Sequence, residues 1–241
     1  MTATALVQTA ALGKRAVVRT GRQPANVIFP LIFPMLLFAV NAGGLKAETR
    51  LPGFPTDSFV AFALAVPFVQ GALLATINAN VEFARDIQTG FLNRLAWTPV
   101  RGIVLLVGQL GGLVTIAVVQ AVFYLAVGLA FGVRLQSGIG GAAMLLLLET
   151  CIALAFASLG SWAALRTGST EAVQGLFPVF FVFLFLSSMN IPRNLIEAVR
   201  ALVITGWDWE TIGLGFAVAA GMSILGFALA THALWNRLER T

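Results

Sequence analysis

Charged residues are scarce in this chain of 241 residues: they make up 10% of the sequence, whereas hydrophobic residues make up 59% and the mean hydropathy is +0.91. A soluble domain carries roughly 25% charged residues. So much apolar surface does not fit inside a globular core, and the composition therefore predicts an integral membrane protein. An all-α fold follows, because backbone groups in lipid must be satisfied within each segment and the alternation typical of barrel strands is absent.

Residues that build catalytic and metal sites are also rare. The single cysteine, Cys151, cannot form an intrachain disulfide, and the single histidine, His232, has no second histidine with which to bind a metal. Neither lysine, Lys14 or Lys46, follows a GxxxxGK[ST] loop, and HExxH and GxSxG motifs are missing. The basic residues are not clustered with aromatics, which argues against nucleic acid. The sequence thus predicts no ATP site, no metal and no catalytic residue.

Long uncharged runs predict six transmembrane helices, at about 25–43, 58–80, 103–131, 140–164, 172–190 and 212–235. Each is close to the roughly 20 residues that a helix needs to cross the hydrocarbon core. If both termini are cytoplasmic, ten of the 15 basic residues lie inside, as the positive-inside rule requires. We therefore predict cytoplasmic N- and C-termini.

A polar interruption at 82–101 separates the second and third predicted spans and would be cytoplasmic. Read as a helix, it carries one apolar stripe, formed by Phe83, Ile87, Phe91 and Leu95. Polar side chains occupy the other faces, namely Glu82, Arg85, Asp86, Asn93 and Arg94. Thr98-Pro99 would end the helix, since the residue before proline disfavours the α region. The segment is either a solvated loop or a short helix that docks on a cytoplasmic partner.

Two further amphipathic segments flank the spans. Residues 1–24 combine a weak apolar stripe with a basic one, which predicts an interfacial helix, with a disordered basic tail as the alternative. Residues 190–210 are predicted to be an extracellular amphipathic segment, with a plain loop as the alternative. Its apolar stripe is formed by Leu195, Ile196, Val199, Leu202 and Val203. Arg193, Glu197 and Arg200 share another face and can pair.

Glu149 is the one charged side chain deep in a predicted span. An ionised carboxylate there is costly, so it must be paired, protonated or exposed to water. It is either a residue of a substrate or proton pathway, or a structural group close enough to the outer end of its helix to reach the lipid headgroups. Gln109 or Gln120 could also satisfy it. The candidate pathway residues are Glu149, Asn78, Gln109, Gln120 and Phe181.

Small residues at four-residue spacing predict close helix contacts, either within the subunit or across a dimer. They are Gly108 and Gly112 in the third span, and Gly213, Ala217 and Gly221 in the sixth.

The pattern resembles the membrane subunits of ABC-2-type exporters, in particular the daunorubicin-resistance type. Glu82 and the run Gly90–Pro99 match the acidic residue, glycine, leucine-rich turn and Thr-Pro of that family's coupling helix. Pro178 and the run Ser187–Pro192 match its fifth span and the start of its outer hairpin. Thr205-Gly206-Trp207 stands where the family often has Asn-Pro, so the detail of the hairpin departs from the pattern.

The resemblance implies a permease subunit of an ATP-driven exporter that moves a hydrophobic or amphiphilic substrate across a bacterial inner membrane. Residues 82–98 would form the coupling helix, with Glu82, Phe83, Arg85, Asp86, Ile87, Phe91 and Arg94 meeting the ATPase. Implied partners are two copies of a P-loop ATPase that bind ATP and Mg²⁺, a second permease in a homodimer or heterodimer, and membrane lipid. The alternatives are a secondary transporter or channel that uses Glu149, and a scaffold that transports nothing.

Overall fold

The computed structural model describes residues 24–44, 54–90, 102–185 and 191–238, together with residue 49 and scattered positions between 8 and 22. Within these ranges the long elements are helices, which we number α1 to α8 in chain order. They are α1 Pro24–Gly44, α2 Phe59–Ala63, α3 Ala65–Gln88, α4 Gly102–Ala130, α5 Gly138–Thr167, α6 Thr170–Phe185, α7 Ile191–Arg200 and α8 Trp209–Leu238. A π-helical turn, Ala201–Thr205, follows α7. The described positions between 8 and 21 are also helical.

Five helical runs are long and apolar enough to cross a membrane: Val27–Gly44, Phe59–Gln88, Leu106–Ala130, Gly138–Thr167 and Trp209–Arg237. The all-α membrane class is therefore confirmed. The predicted fifth span, 172–190, corresponds to α6 as far as Phe185, and its last residues lie outside the described part of the chain. Six spans and cytoplasmic termini stay predictions.

Helix α3 lies at the centre of the molecule. Sixteen of its 24 residues are buried, and it packs against α1, α4, α5, α6 and α7. Small residues let the neighbours approach closely: a Cβ on Gly71 would lie 2.3 Å from the Tyr124 hydroxyl of α4. That hydroxyl donates a hydrogen bond to the Pro30 carbonyl of α1. The carbonyl needs this donor because Pro34, four residues later, has no N–H to offer it.

The second predicted span is broken near its start and continuous at its end. Pro67 cannot donate to the Ala63 carbonyl, and the helix accordingly breaks at Leu64, between α2 and α3. At the other end α3 runs on to Gln88 without interruption. The prediction of a span that ends near residue 80 and a distinct helix from residue 82 is therefore wrong at this junction, because residues 82–88 are the last turns of α3.

The amphipathic segment after α6 folds back onto the bundle. All five residues of its predicted apolar stripe are buried, and the segment packs chiefly on α8. Arg193 pairs with Glu197 at 2.8 Å, as its spacing predicted. The indoles of Trp207 and Trp209 stack with their centroids 5.0 Å apart at the junction to α8.

The predicted small-residue stripe on α8 does not mediate contacts within the subunit. Gly213, Ala217 and Gly221 are all exposed, and a Cβ on either glycine would meet no atom within 4 Å. Close approaches of α8 occur instead at Gly215, against Ala198, and at Gly226, against Ser158. Spacing identified the small residues but not the face on which α8 packs.

We expect Gly71→Ala to lower the melting temperature of the protein in detergent. The collision of the new Cβ with Tyr124 should cost about 1–3 kcal/mol, more than the gain of up to about 1 kcal/mol from the helix propensity of alanine. Gly213→Ala is the matched control, because it has the same propensity gain and open space around it. Equal melting temperatures for the two variants would contradict the close contact between α3 and α4.

Candidate functional site

The last turns of α3, residues Glu82 to Gly90, form the first candidate site, which we call the α3 tail. Thr89 caps the helix by donating its N–H to the Arg85 carbonyl at 2.9 Å, and Gly90 then takes a positive φ of 71°. A left-handed turn of this kind favours glycine because other residues clash there. The chain therefore leaves α3 sharply at Gly90.

One side of the α3 tail is buried inside the subunit. Phe83 is 4% exposed and Ile87 5% exposed, and Ala84 is fully buried between them. They belong to an apolar cluster at the helix ends, which we call the helix-end cluster. Its other members come from α3 itself and from four further helices: Val81, Leu106, Ala164, Leu165, Val173, Ala230 and Leu234. The α3 tail is thereby packed onto α4, α5 and α6, and the same cluster continues to the end of α8.

This burial changes the interpretation of the predicted coupling residues. Phe83 and Ile87 were expected to contact an ATPase, but their side chains face the helix-end cluster and present no surface to a partner. Helical periodicity identifies an apolar face, but it does not identify the helix or the partner protein that packs against that face. Phe91 and Arg94 lie outside the described residues, and a coupling role for 82–98 stays a prediction.

The charged residues lie on the other side of the α3 tail. Arg85 donates to Glu82 at 2.9 Å, and its own side chain remains 54% exposed. Asp86 pairs with Arg15 of the N-terminal segment at 3.5 Å. Gln88 and Thr89 are exposed. The tail thus has a polar outer edge, and an ion pair connects it to the N-terminal segment.

The turn between α5 and α6 lies at the same end of the bundle, because Leu165 and Val173 on either side of it belong to the helix-end cluster. Gly168 caps α5 with a φ of 63°, and Ser169 accepts a hydrogen bond from the N–H of Ala172 to begin α6. The hydroxyl of Ser169, the backbone N–H of Glu171 and the hydroxyl of Thr170 lower the pKa of the exposed Glu171 carboxyl. The turn therefore presents a negative charge at the end of the bundle where Arg166 is also exposed.

The second candidate site consists of polar side chains inside the bundle. Glu149 is fully buried in α5, and neither carboxyl oxygen has a hydrogen-bond partner among the described residues. Gln109 and Gln120 were expected as its partners. Instead Gln109 donates to the Ala79 carbonyl at 3.1 Å and Gln120 donates to the Gly71 carbonyl at 3.3 Å. Both amides therefore hold α4 against α3, and the expectation that they satisfy Glu149 is wrong.

A buried carboxyl group without a partner is favoured in its neutral, protonated form, since an isolated charge in an apolar interior is far more costly. Asn78, another predicted pathway residue, is half-buried on α3. Phe181 lies on α6, and its side chain is outside the described part of the structure. No described contact brings these residues together with Glu149 into one pathway.

Asn80 was not among the predicted pathway residues, and the structure shows that it joins two helices, the role that polar amides within spans more often have. The Asn80 amide donates to the carbonyls of Thr76 at 2.8 Å and Ala157 at 3.3 Å, and its oxygen accepts from Ser161 at 2.9 Å. Gly160 makes room for it, since a Cβ there would lie 2.2 Å from the Asn80 nitrogen. The available signal was the adjacent pair Gly160 and Ser161 on α5, but its meaning depends on knowing that α3 and α5 pack together.

We expect Phe83→Ala to destabilise the subunit itself. Removal of a buried phenylalanine typically costs about 3–5 kcal/mol, and here the cavity would open within the helix-end cluster. Gln88→Ala, on the exposed side of the same helix, is the control and should leave the melting temperature unchanged. If Phe83→Ala has the same stability as Gln88→Ala, the burial of the α3 tail is incorrect.

The family comparison agrees with this architecture. The family model described as ABC-2 type transporter matches residues 7–207, which run from the N-terminal segment through α7 and the following turn. No curated protein sequence matches the chain. The matched region covers most of the 241 residues and includes both the α3 tail and the amphipathic segment. The chain therefore belongs to the ABC-2 type transporter family, as a membrane permease component, and membership of this family implies association with an ABC ATPase subunit.

Proposed function

We propose that this permease is the membrane subunit of an ATP-driven exporter and that the α3 tail receives the force from the ATPase. The supporting observation is the continuity of α3 from its centre in the bundle to Gln88, with its tail packed into the helix-end cluster. ATP and Mg²⁺ would bind on the ATPase, since the chain has no P-loop sequence of its own.

A rigid connection is what such coupling requires. Nucleotide-driven closure occurs in a soluble subunit, and the membrane helices respond only if a stiff element joins them to it. Phe83 and Ile87 belong to one apolar cluster with residues of four other helices, so a displacement of the tail would reach these helices through packed side chains. Packed interiors transmit strain because they have few voids. In this proposal the two apolar residues transmit force within the subunit.

The surface that meets the ATPase would then be the polar edge of the α3 tail. Arg85, Gln88 and Thr89 are exposed there. The α5–α6 turn adds Arg166 and Glu171 at the same end of the bundle. Charged groups on such a rim orient a partner and set its association rate more than its affinity. Residues 91–98, including Phe91 and Arg94, would complete the contact.

The proposed cargo is a hydrophobic or amphiphilic molecule. The buried polar side chains of the described helices are amides, hydroxyls and one carboxyl group, and no basic side chain is fully buried among them. Two permease subunits, identical or different, would enclose the translocation path of the cargo, and each would bind one ATPase subunit. A bacterial inner membrane is the proposed location. Export is the proposed direction because the resemblance is to exporters.

We expect Arg85→Glu to reduce recovery of the ATPase with tagged permease from native membranes by about tenfold, equivalent to about 1.4 kcal/mol. Arg193→Glu is the matched control, because Arg193 is also an exposed arginine in an intrahelical ion pair but lies at the opposite end of the bundle. Mass spectrometry of the purified complexes measures the ratio. Equal recovery from both variants would contradict the assigned docking edge, and absence of any P-loop ATPase from wild-type preparations would contradict the proposed function.

We expect Glu149→Gln to support ATP-dependent export at the wild-type rate. Glutamine has nearly the same shape as a protonated glutamic acid, so the neutral buried group is retained. Transport into inverted vesicles, with and without a proton gradient, measures the effect. Loss of export in Glu149→Gln, or transport driven by the gradient without ATP, would instead support the alternative in which Glu149 carries ions.

A further inference from the structure

A cleft of about 100 Å³ opens between α1, the α2–α3 break and the end of α7. Its walls are mostly apolar side chains of these helices. Three polar residues also line it: Asn41 on α1, Gln70 on α3 and Arg200 at the end of α7. The cleft is thus apolar with a few polar groups, a composition typical of ligand sites.

Arg200 occupies an unusual position in this cleft. Its guanidinium carbon lies 3.7 Å from the centroid of the Phe62 ring, and its Nε donates to the Phe62 carbonyl at 3.3 Å. The Pro67 break next to Phe62 leaves this stretch of backbone open to an outside donor. Burial lowers the pKa of Arg200 and the Glu197 carboxylate raises it, but a guanidinium stays charged in proteins.

The charge of Arg200 has no counter-ion in the described part of the chain. Glu197, one turn earlier on α7, bonds instead to Arg193 at 2.8 Å. No carboxylate of the described residues lies within ion-pair distance of Arg200, and its terminal nitrogens have no acceptor there. A half-buried cation surrounded by apolar groups is costly unless an anion accompanies it. The cleft is therefore electrostatically complementary to an anionic group.

The helix that forms one wall of the cleft also faces lipid. Leu36 and Val40 of α1 are 59% and 65% exposed, and they adjoin the lining residues of the same helix. Phe62 lies near the start of the Phe59–Gln88 span, so Arg200 is at the level where lipid headgroups lie. An amphiphile held there would place its acyl chains against α1 and its headgroup against Arg200.

We infer that this cleft binds the headgroup of an anionic phospholipid, with its phosphate on the Arg200 guanidinium and its acyl chains along the exposed face of α1. Arginine suits this task because its planar fork donates two parallel hydrogen bonds to phosphate oxygens. Gln70 closes the inner end of the cleft, and its buried Oε1 has no partner among the described residues. In the predicted orientation the lipid belongs to the outer leaflet. It would hold α1 and α7 together through a ligand rather than through direct contact.

The test measures phospholipid retention by the full chain purified in neutral detergent, using native mass spectrometry with added phosphatidylglycerol or phosphatidylcholine. We expect wild-type protein to retain phosphatidylglycerol at least tenfold better than phosphatidylcholine. Arg200→Gln should abolish this preference. Arg193→Gln removes the same charge from the same helix but leaves the cleft untouched, so it should keep the preference. Equal losses in the two variants would overturn the inference in favour of general surface electrostatics.

A second variant distinguishes loss of lipid binding at the cleft from loss caused by misfolding of the protein. Leu37→Trp fills the cleft while it leaves Arg200 in place, and melting temperatures of all variants report their folding. Loss of phosphatidylglycerol with an unchanged melting temperature supports the cleft as the binding site. Unchanged retention in Leu37→Trp overturns it. Equal binding of glycerol 3-phosphate, which has no acyl chains, overturns the lipid as occupant and indicates a site for soluble or cargo anions.

Discussion

Polar groups buried among apolar helices must find hydrogen-bond partners, and in this protein that requirement arranges the bundle around α3. The partners of the side chains are mainly backbone carbonyls of a neighbouring helix. Among the described residues, six such bonds cross between helices: Tyr124 to Pro30, Gln120 to Gly71, Gln109 to Ala79, Asn80 to Ala157, Arg200 to Phe62 and Arg237 to Leu165. Four of the six have one end on α3 or on α2 directly before it. The Tyr124 bond joins α4 to α1 beside Gly71 of α3, and the Arg237 bond joins α8 to α5, so most of these polar contacts involve the central helix.

The prolines explain why some of these contacts exist. Pro34 removes the N–H that would have satisfied the Pro30 carbonyl, and Pro67 breaks the helix beside the Phe62 carbonyl. Tyr124 supplies the missing donor at Pro30, and Arg200 donates to the Phe62 carbonyl next to the break. Each proline therefore creates a polar contact point that positions another helix.

The same helix connects the two ends of the molecule. At one end its tail is packed among the ends of four other helices, and at the other end its preceding turn receives Arg200 from the amphipathic segment. In the proposed coupling, packing of this kind would transmit a displacement of either end, because there is little unpacked space to absorb the motion. This arrangement suits a transporter whose energy source is a separate subunit at one side of the membrane.

The sequence alone determined the membrane class, the presence of long apolar helices and the family, because these depend on composition and on patterns along the chain. It also predicted the Arg193–Glu197 pair, whose members are one helical turn apart. Only the tertiary structure decided which residues pack against each helix face. In it Phe83 and Ile87 are buried within the subunit, and the small residues of α8 are exposed. Asn80, rather than Asn78, makes the contacts between helices, and neither Gln109 nor Gln120 bonds to Glu149. Periodicity specifies a face within one helix, whereas the neighbour of that face depends on how all the helices pack together.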